Sequence, residues 1–242
     1  MSRGVRQMNT MSEIERAVRS LTPGQRRRLL DWLAGELDLE LGVAEPVARY
    51  GSATETREFF SLEDYFAMEK QSAIRHEYVA GAIFAMADPS QAHEIIAINI
   101  AASLHTHVQG RPCRVYTGGR QLQFKYMGDD FVYRPDVWVA CGEARSPKGG
   151  YVDEPRLVIE VLSPSTARFD RREKAFSYRE IPTIQEYLLI GQKPAHLVIR
   201  RRAEQWNPQT LQSLDDVLIL QSVDLTIPVA RIYKGIPEDE RS

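Results

Sequence analysis

The run from Arg156 to Thr166, Arg-Leu-Val-Ile-Glu-Val-Leu-Ser-Pro-Ser-Thr, sets the tightest limit on how this chain can fold. Leu157, Val158, Ile159, Val161 and Leu162 surround one carboxylate, Glu160, and the turn cluster Ser163-Pro164-Ser165 follows at once. Strand alternation places Val158, Glu160 and Leu162 on one face and Leu157, Ile159 and Val161 on the other. A charge inside such a strand costs several kcal/mol unless it is paired or binds a metal. Glu160 therefore calls for a cationic partner, such as an arginine, or for a metal.

A partner set lies on either side. Phe131 to Ala140 (Phe-Val-Tyr-Arg-Pro-Asp-Val-Trp-Val-Ala) reads as a second strand with a carboxylate, Asp136, near its middle. Pro135 cannot donate to a ladder, so an edge or a bulge is expected there. Asp170 to Tyr178 reads as a helix carrying Lys174. Two carboxylates on strands and a lysine one connection away could hold a divalent cation and a phosphate.

These residues carry a resemblance. Pro135-Asp136, the run Ile159 to Thr166, Asp170 with Lys174, and Glu186-Tyr187 resemble the Uma-type "putative restriction endonuclease" family of the PD-(D/E)XK nuclease superfamily. Glu77-Tyr78-Val79-Ala80-Gly81-Ala82-Ile83, Met86 and His93 are similar to that family's opening pattern, and the likeness spans about residues 58–236. It implies an α/β fold, a restriction-endonuclease-like mixed sheet flanked by helices. It also implies a divalent-metal-dependent endonuclease acting on DNA, with Asp136 and Glu160 as ligands of Mg²⁺ or Mn²⁺. A backbone carbonyl just after Glu160 would complete the protein's own ligands.

One departure stands out. The superfamily's commonest form has its lysine two residues after the second carboxylate, on the same strand face. That position is Leu162 here, which can neither hydrogen-bond nor carry charge. The resemblance moves the lysine's role to Lys174 on the next helix, where it would orient the nucleophile or neutralise the transition state. The plain alternative is a surface lysine paired with Asp170 one turn earlier. Asp170 also suits an N-cap, with Glu173 completing a capping box. Glu77 is either a third carboxylate or a group that orients Lys174. His93 is a metal-side residue by resemblance and a structural histidine otherwise. Tyr178 shares the helix face of Lys174 and reads as packing. His105 and His107 point to different sides of one helix and are no ligand pair.

At 242 residues, 43% hydrophobic and 26% charged, the chain suits one sizeable core with a small appendage. No stretch has the length of a membrane span. Cys113 and Cys141 lie far apart with no CxxC around them, so two reduced thiols and a cytoplasmic protein are expected, without zinc. A net charge of −2 opposes non-specific coating of nucleic acid but permits a local patch. Arg168, Arg171, Arg172, Lys174 and Arg179 form one such patch, while Arg26-Arg27-Arg28 and Arg200-Arg201-Arg202 read as solvated.

Residues 1–45 read as a tail and an N-terminal helical hairpin: Ser12-x-x-Glu15 and Thr22-Pro23-x-Gln25 are capping boxes, and Leu29, Leu30, Leu33 and Leu37 form a stripe. That stripe needs cover, from the main domain or from a second copy in a homodimer. A linker over 46–57, the nuclease-like domain over 58–236 and a tail over 237–242 complete the division. Within the domain, helices are expected at 61–70, 92–108 and 170–180, a hairpin over 76–86 turning at Ala80-Gly81, and strands at 113–117, 120–126, 131–140, 157–162, 184–190 and 195–202. Besides an active nuclease, two readings compete: a nuclease-like module that binds nucleic acid or protein without turnover, and a regulatory role centred on the N-terminal hairpin.

Overall fold

The structure, a computed structural model, describes residues 17–21, 29, 60–126, 128–142, 154–162, 174–192 and 195–237. The linker, the C-terminal tail beyond residue 237, most of the N-terminal hairpin, Asp170 and the arginines at 168, 171 and 172 lie outside the described residues.

A six-stranded mixed sheet forms the centre. Its strands run, from one edge, β10 (Pro208–Leu211), β9 (His196–Arg201), β8 (Glu186–Gly191), β7 (Pro155–Leu162), β6 (Val137–Cys141) and β3 (Cys113–Thr117). Among the described residues only β7 and β8 pair in parallel, through the connection that contains helix α3 (Ala175–Arg179); the other pairs of this sheet are antiparallel. A second, antiparallel sheet has the order β2 (Ala82–Ala85), β1 (His76–Val79), β5 (Asp129–Tyr133), β4 (Leu122–Tyr126). Helix α1 (Leu62–Glu69) covers it, Tyr65 packing on Tyr78 and Val132. Ser61 and Asp64 close α1 with a reciprocal capping box, and the Ser61 hydrogen bonds hold the Asp64 carboxyl below its ordinary value. A hairpin of β11 (Val217–Leu220) and β12 (Leu225–Pro228), followed by the short α4 (Val229–Ile232), ends the fold.

The alternation of β7 organises both cores. Leu157, Ile159 and Val161 pack with Ile96, Ile100 and Leu104 of α2 (Gln91–Val108) and with the β11–β12 hairpin. Val158 and Leu162 face Trp138, Tyr133, Tyr178 and Tyr187 on the other side, beneath the second sheet. Glu160 belongs to this second face, with only 3% of the residue exposed.

Several expectations are corrected. The segment 131–140 is two strands, not one: it leaves the second sheet after Tyr133 and enters the central sheet at Val137, with Arg134-Pro135-Asp136 as the crossing. Pro135 does break the ladder, but the break moves the chain between sheets. The cysteines are not thiols. Antiparallel pairing of β3 and β6 sets Cys113 opposite Cys141, and the two are joined as a disulfide across a separation of 28 residues. Distance in sequence concealed this pairing, and the cytoplasmic expectation loses the support of reduced thiols. Arg201 and Arg202 are not a solvated pair. Arg201 is 4% exposed and ion-paired with Glu186 at 2.9 Å, and Arg202 donates to the carbonyls of Ile181 and Ile184. No helix among the described residues is long and apolar enough to cross a membrane.

Candidate active site

Lys174 stands where β1, β7 and α3 meet. Its ammonium lies 3.0 Å from Glu77 Oε1 and 3.1 Å from Glu160 Oε1, and 5.3 Å from the centre of the Tyr133 ring. Lys174 is 4% exposed, so this is a buried ion cluster and not a surface pair. The partner of Glu160 is thus a lysine, where an arginine was the expected alternative. Of the two roles open to Glu77, the contact geometry matches the second, since its carboxylate touches the lysine directly. The same Glu77 oxygen accepts the backbone N–H of Arg134 at 2.8 Å, which ties β1 to the crossing segment.

Tyr178 contributes more than packing. One turn beyond Lys174, its hydroxyl donates to Glu160 Oε1 at 2.8 Å. Burial pushes the hydroxyl well above its ordinary pKa, and the neighbouring Glu160 carboxylate adds to the shift. Tyr178 therefore stays protonated and remains a donor. Two donors, Lys174 and Tyr178, converge on one oxygen of Glu160 and fix the plane of its carboxylate.

Asp136 forms the outer half of the site. Its Oδ2 accepts the backbone N–H of Val161 at 2.7 Å, which places it beside the residue that follows Glu160. His93 Nε2 lies 3.2 Å from the same oxygen. The side chains of Asp136 and His93 are 16% and 15% exposed, against 3% for Glu160, so a ligand from solvent meets this half first. His93 is held there by the start of α2. Ser90 accepts the His93 N–H and donates to Gln192, which in turn donates to the Leu162 carbonyl at the end of β7.

The structure thus gathers Glu77, Glu160 and Lys174 in one set of contacts and Asp136 with His93 in another, and joins the two sets through the Asp136 bond to the Val161 N–H. Asp170, the alternative partner of Lys174, lies outside the described residues. Sequence reasoning missed Arg134, whose guanidinium is paired with Glu69 at 2.8 Å and also reaches the carbonyls of His76 and Gly119. An arginine before a proline carries no periodic signal, and only the crossing between sheets buries it.

The donor chemistry suits a hard divalent cation. Two carboxylates, Glu77 and Glu160, meet Lys174, and Asp136, held by the N–H of the residue that follows Glu160, adds a third hard oxygen donor on the more exposed side. Among the described residues no three His, Cys, Asp or Glu side chains gather closely enough to hold a metal alone. A cation with one or two protein carboxylates and otherwise water or phosphate ligands is the usual mode for Mg²⁺. Two cavities lie elsewhere, between α2 and β12 and between β9 and β11.

Comparisons with known proteins bear on the family and on the fold. The family model Uma2, described as "Putative restriction endonuclease", matches residues 62–230. "Uncharacterized protein slr1290" of Synechocystis sp. is 30% identical over 178 residues, covering 73% of this chain and 92% of that protein. "Uncharacterized protein sll1609" of the same organism is 31% identical over 139 residues, covering 57% and 77%. A crystal structure described as a "putative nuclease belonging to DUF820" from Anabaena variabilis superposes with a TM-score of 0.59 at 18% identity, covering 72% of this chain and 97% of that one. That likeness carries the restriction-endonuclease-like architecture.

Proposed function

We propose that this chain, which belongs to the Uma2 family, is a nuclease that hydrolyses phosphodiester bonds in DNA with a divalent cation at Asp136 and Glu160. One observation carries the reading: Asp136 is anchored to the Val161 N–H, beside Glu160, and Lys174 bonds the Glu160 carboxylate. When bound there, Mg²⁺ or Mn²⁺ supplies a water of lowered pKa and relief of charge on the phosphate.

The chain's own residues supply the rest. Tyr178 and Lys174 hold Glu160 in one orientation, and the Val161 N–H does the same for Asp136. The Lys174 ammonium is the protein's counter-charge for the negative charge that grows on the phosphate, taking the place of the lysine that Leu162 removes from the strand. Glu77, fixed by the Arg134 N–H, keeps that ammonium in position. His93 contacts Asp136 on the solvent side, where a water-bound ligand would arrive. A second copy docked through the N-terminal helices would set two such sites on one duplex. Sedimentation of the full chain against a chain lacking residues 1–45 tests that assembly.

Leu162 favours one competing reading, a nuclease-like module that binds without turnover, because its side chain sits in the apolar cluster and offers the site no polar group. A cleavage assay separates the two. Purified protein is offered pooled duplex, nicked, branched and single-stranded DNA with Mg²⁺, Mn²⁺ or EDTA, beside Asp136→Ala. Cleavage that needs the cation and disappears in the variant is the expected result. Intact DNA under every condition, or equal cutting by the variant, transfers the weight to the binding module.

A further inference from the structure

We propose that Arg120, with Arg75 beside it, grips a backbone phosphate next to the scissile one. This assignment rests on the nuclease reading above and supplies what that reading lacks, a contact for the charged strand on either side of the cut.

The loop between β3 and β4 lies against the crossing segment. Gly118 donates its N–H to the Asp136 carbonyl at 3.1 Å, and a Cβ on Gly118 would come within 3.8 Å of the Pro135 carbonyl oxygen. Arg75 donates to the Gly118 carbonyl at 3.3 Å from the exposed side of the same turn. Arg120 follows the turn, its guanidinium 5.8 Å from the centre of the Tyr116 ring. Tyr116 stacks on Trp138 with ring centres 4.5 Å apart. Trp138 packs with Val158 and Leu162, so Arg120 lies on the sheet face that carries Glu160.

The two buried arginines among the described residues, Arg134 and Arg201, already have their counter-charges. Arg134 is neutralised by Glu69, and Arg201 by Glu186 and Glu204. Among the described residues no carboxylate pairs with Arg75 or Arg120, and the buried Nε of Arg120 has no hydrogen-bond partner. A buried N–H without an acceptor is costly. A guanidinium placed over a ring, with donors to spare, is suited to a phosphate, which accepts the planar fork of N–H groups. The acidic centre of the site repels a polyanion, so a cationic rim is what would allow DNA to approach it.

The test measures binding of a short fluorescein-labelled duplex by anisotropy across a series of NaCl concentrations, in a Glu160→Gln background that does not cut. Arg120→Ala is expected to weaken binding about tenfold and to reduce the slope of log K against log salt by about one. Arg120→Lys should keep the slope while recovering only part of the affinity, an outcome that lost packing alone would not produce. Arg156→Ala, on the exposed surface away from the turn, should change neither quantity. An unchanged slope in Arg120→Ala, with a parent that binds and a wild-type chain that cuts, overturns this assignment and leaves the nuclease reading intact. If Arg120→Ala does not fold, the slopes of Arg120→Lys and Arg75→Ala decide: a slope lowered by Arg75→Ala and kept by Arg120→Lys supports the grip, and anything else overturns it. A parent that binds no DNA, from a wild-type chain that cuts none, overturns both.

Discussion

Glu160 is a carboxylate that the fold has fixed before any ligand arrives. It is 3% exposed, and both Lys174 and Tyr178 bond its Oε1. Such a group keeps its orientation only while its neighbours hold it, and loss of a supporting contact at a metal ligand typically costs about 10–100-fold in affinity or activity. Tyr178→Phe is therefore expected to lower cleavage within that range while reducing stability by about 1.5–3 kcal/mol, the usual cost of a hydrogen bond to a charged group. Steady-state kinetics beside a urea melt checks both, and full activity in the variant would reduce Tyr178 to packing. At this scale the sequence was legible where alternation applied. It put Glu160 on one face of its strand; Asp136 and Lys174 were read from their places on neighbouring elements, and Glu77 and His93 from the family resemblance alone. Tyr178 was read only as packing and Arg134 was missed, because their bonds depend on how α3 and the crossing segment approach β7 and β1, and no spacing rule encodes that approach.

Among the elements, the crossing at Arg134-Pro135-Asp136 does most to make the site. Pro135 ends the ladder, the chain passes from the second sheet to the central one, and Asp136 is left beside Val161. A proline in a strand signals a break, but sequence alone does not say whether the chain returns to the same sheet. The disulfide belongs to the same problem, since Cys113 and Cys141 meet only through the register of β3 against β6. Closing a loop of this length typically contributes about 2–4 kcal/mol. Paired Cys113→Ser and Cys141→Ser substitutions are therefore expected to lower stability by that amount in a non-reducing urea melt. Thiol titration of the denatured, unreduced wild-type chain should find no thiol, and two thiols there would contradict the pairing. The β10 to β12 strands escaped the sequence reading because each is only 4 residues long and exposes alternate or most positions to solvent.

On the scale of the whole molecule, the central sheet is buried on both faces, and the tyrosines in and around its cores share a consequence. Burial raises Tyr65 and Tyr233 from the ordinary 10.0 to about 12, and Tyr178 moves in the same direction. The folded state thus holds protons that the unfolded chain releases first. This contribution is complete below pH 10.0, is lost progressively as the pH rises towards about 12, and leaves stability lower there. Urea midpoints measured across that interval should fall with pH, and a flat profile would contradict the burial of these hydroxyls. The same two-sided burial explains why Arg201 was misread as solvated. A run of arginines resembles a surface until Glu186, on the neighbouring strand, is seen to take the charge inside. The long strand and the long helix were legible because they are strongly periodic, but their order is common to many α/β folds, and the restriction-endonuclease-like class came from the family resemblance. The function rests on one claim, that Asp136 and Glu160 hold a cation that makes phosphodiester hydrolysis possible. Cleavage of duplex DNA by wild-type protein and by Glu160→Gln, titrated with Mn²⁺ and then quenched with EDTA, tests it most directly. Cutting that saturates with Mn²⁺, stops in EDTA and is absent from the variant is the predicted result; cutting that persists in EDTA, or in Glu160→Gln at wild-type rate, would contradict it.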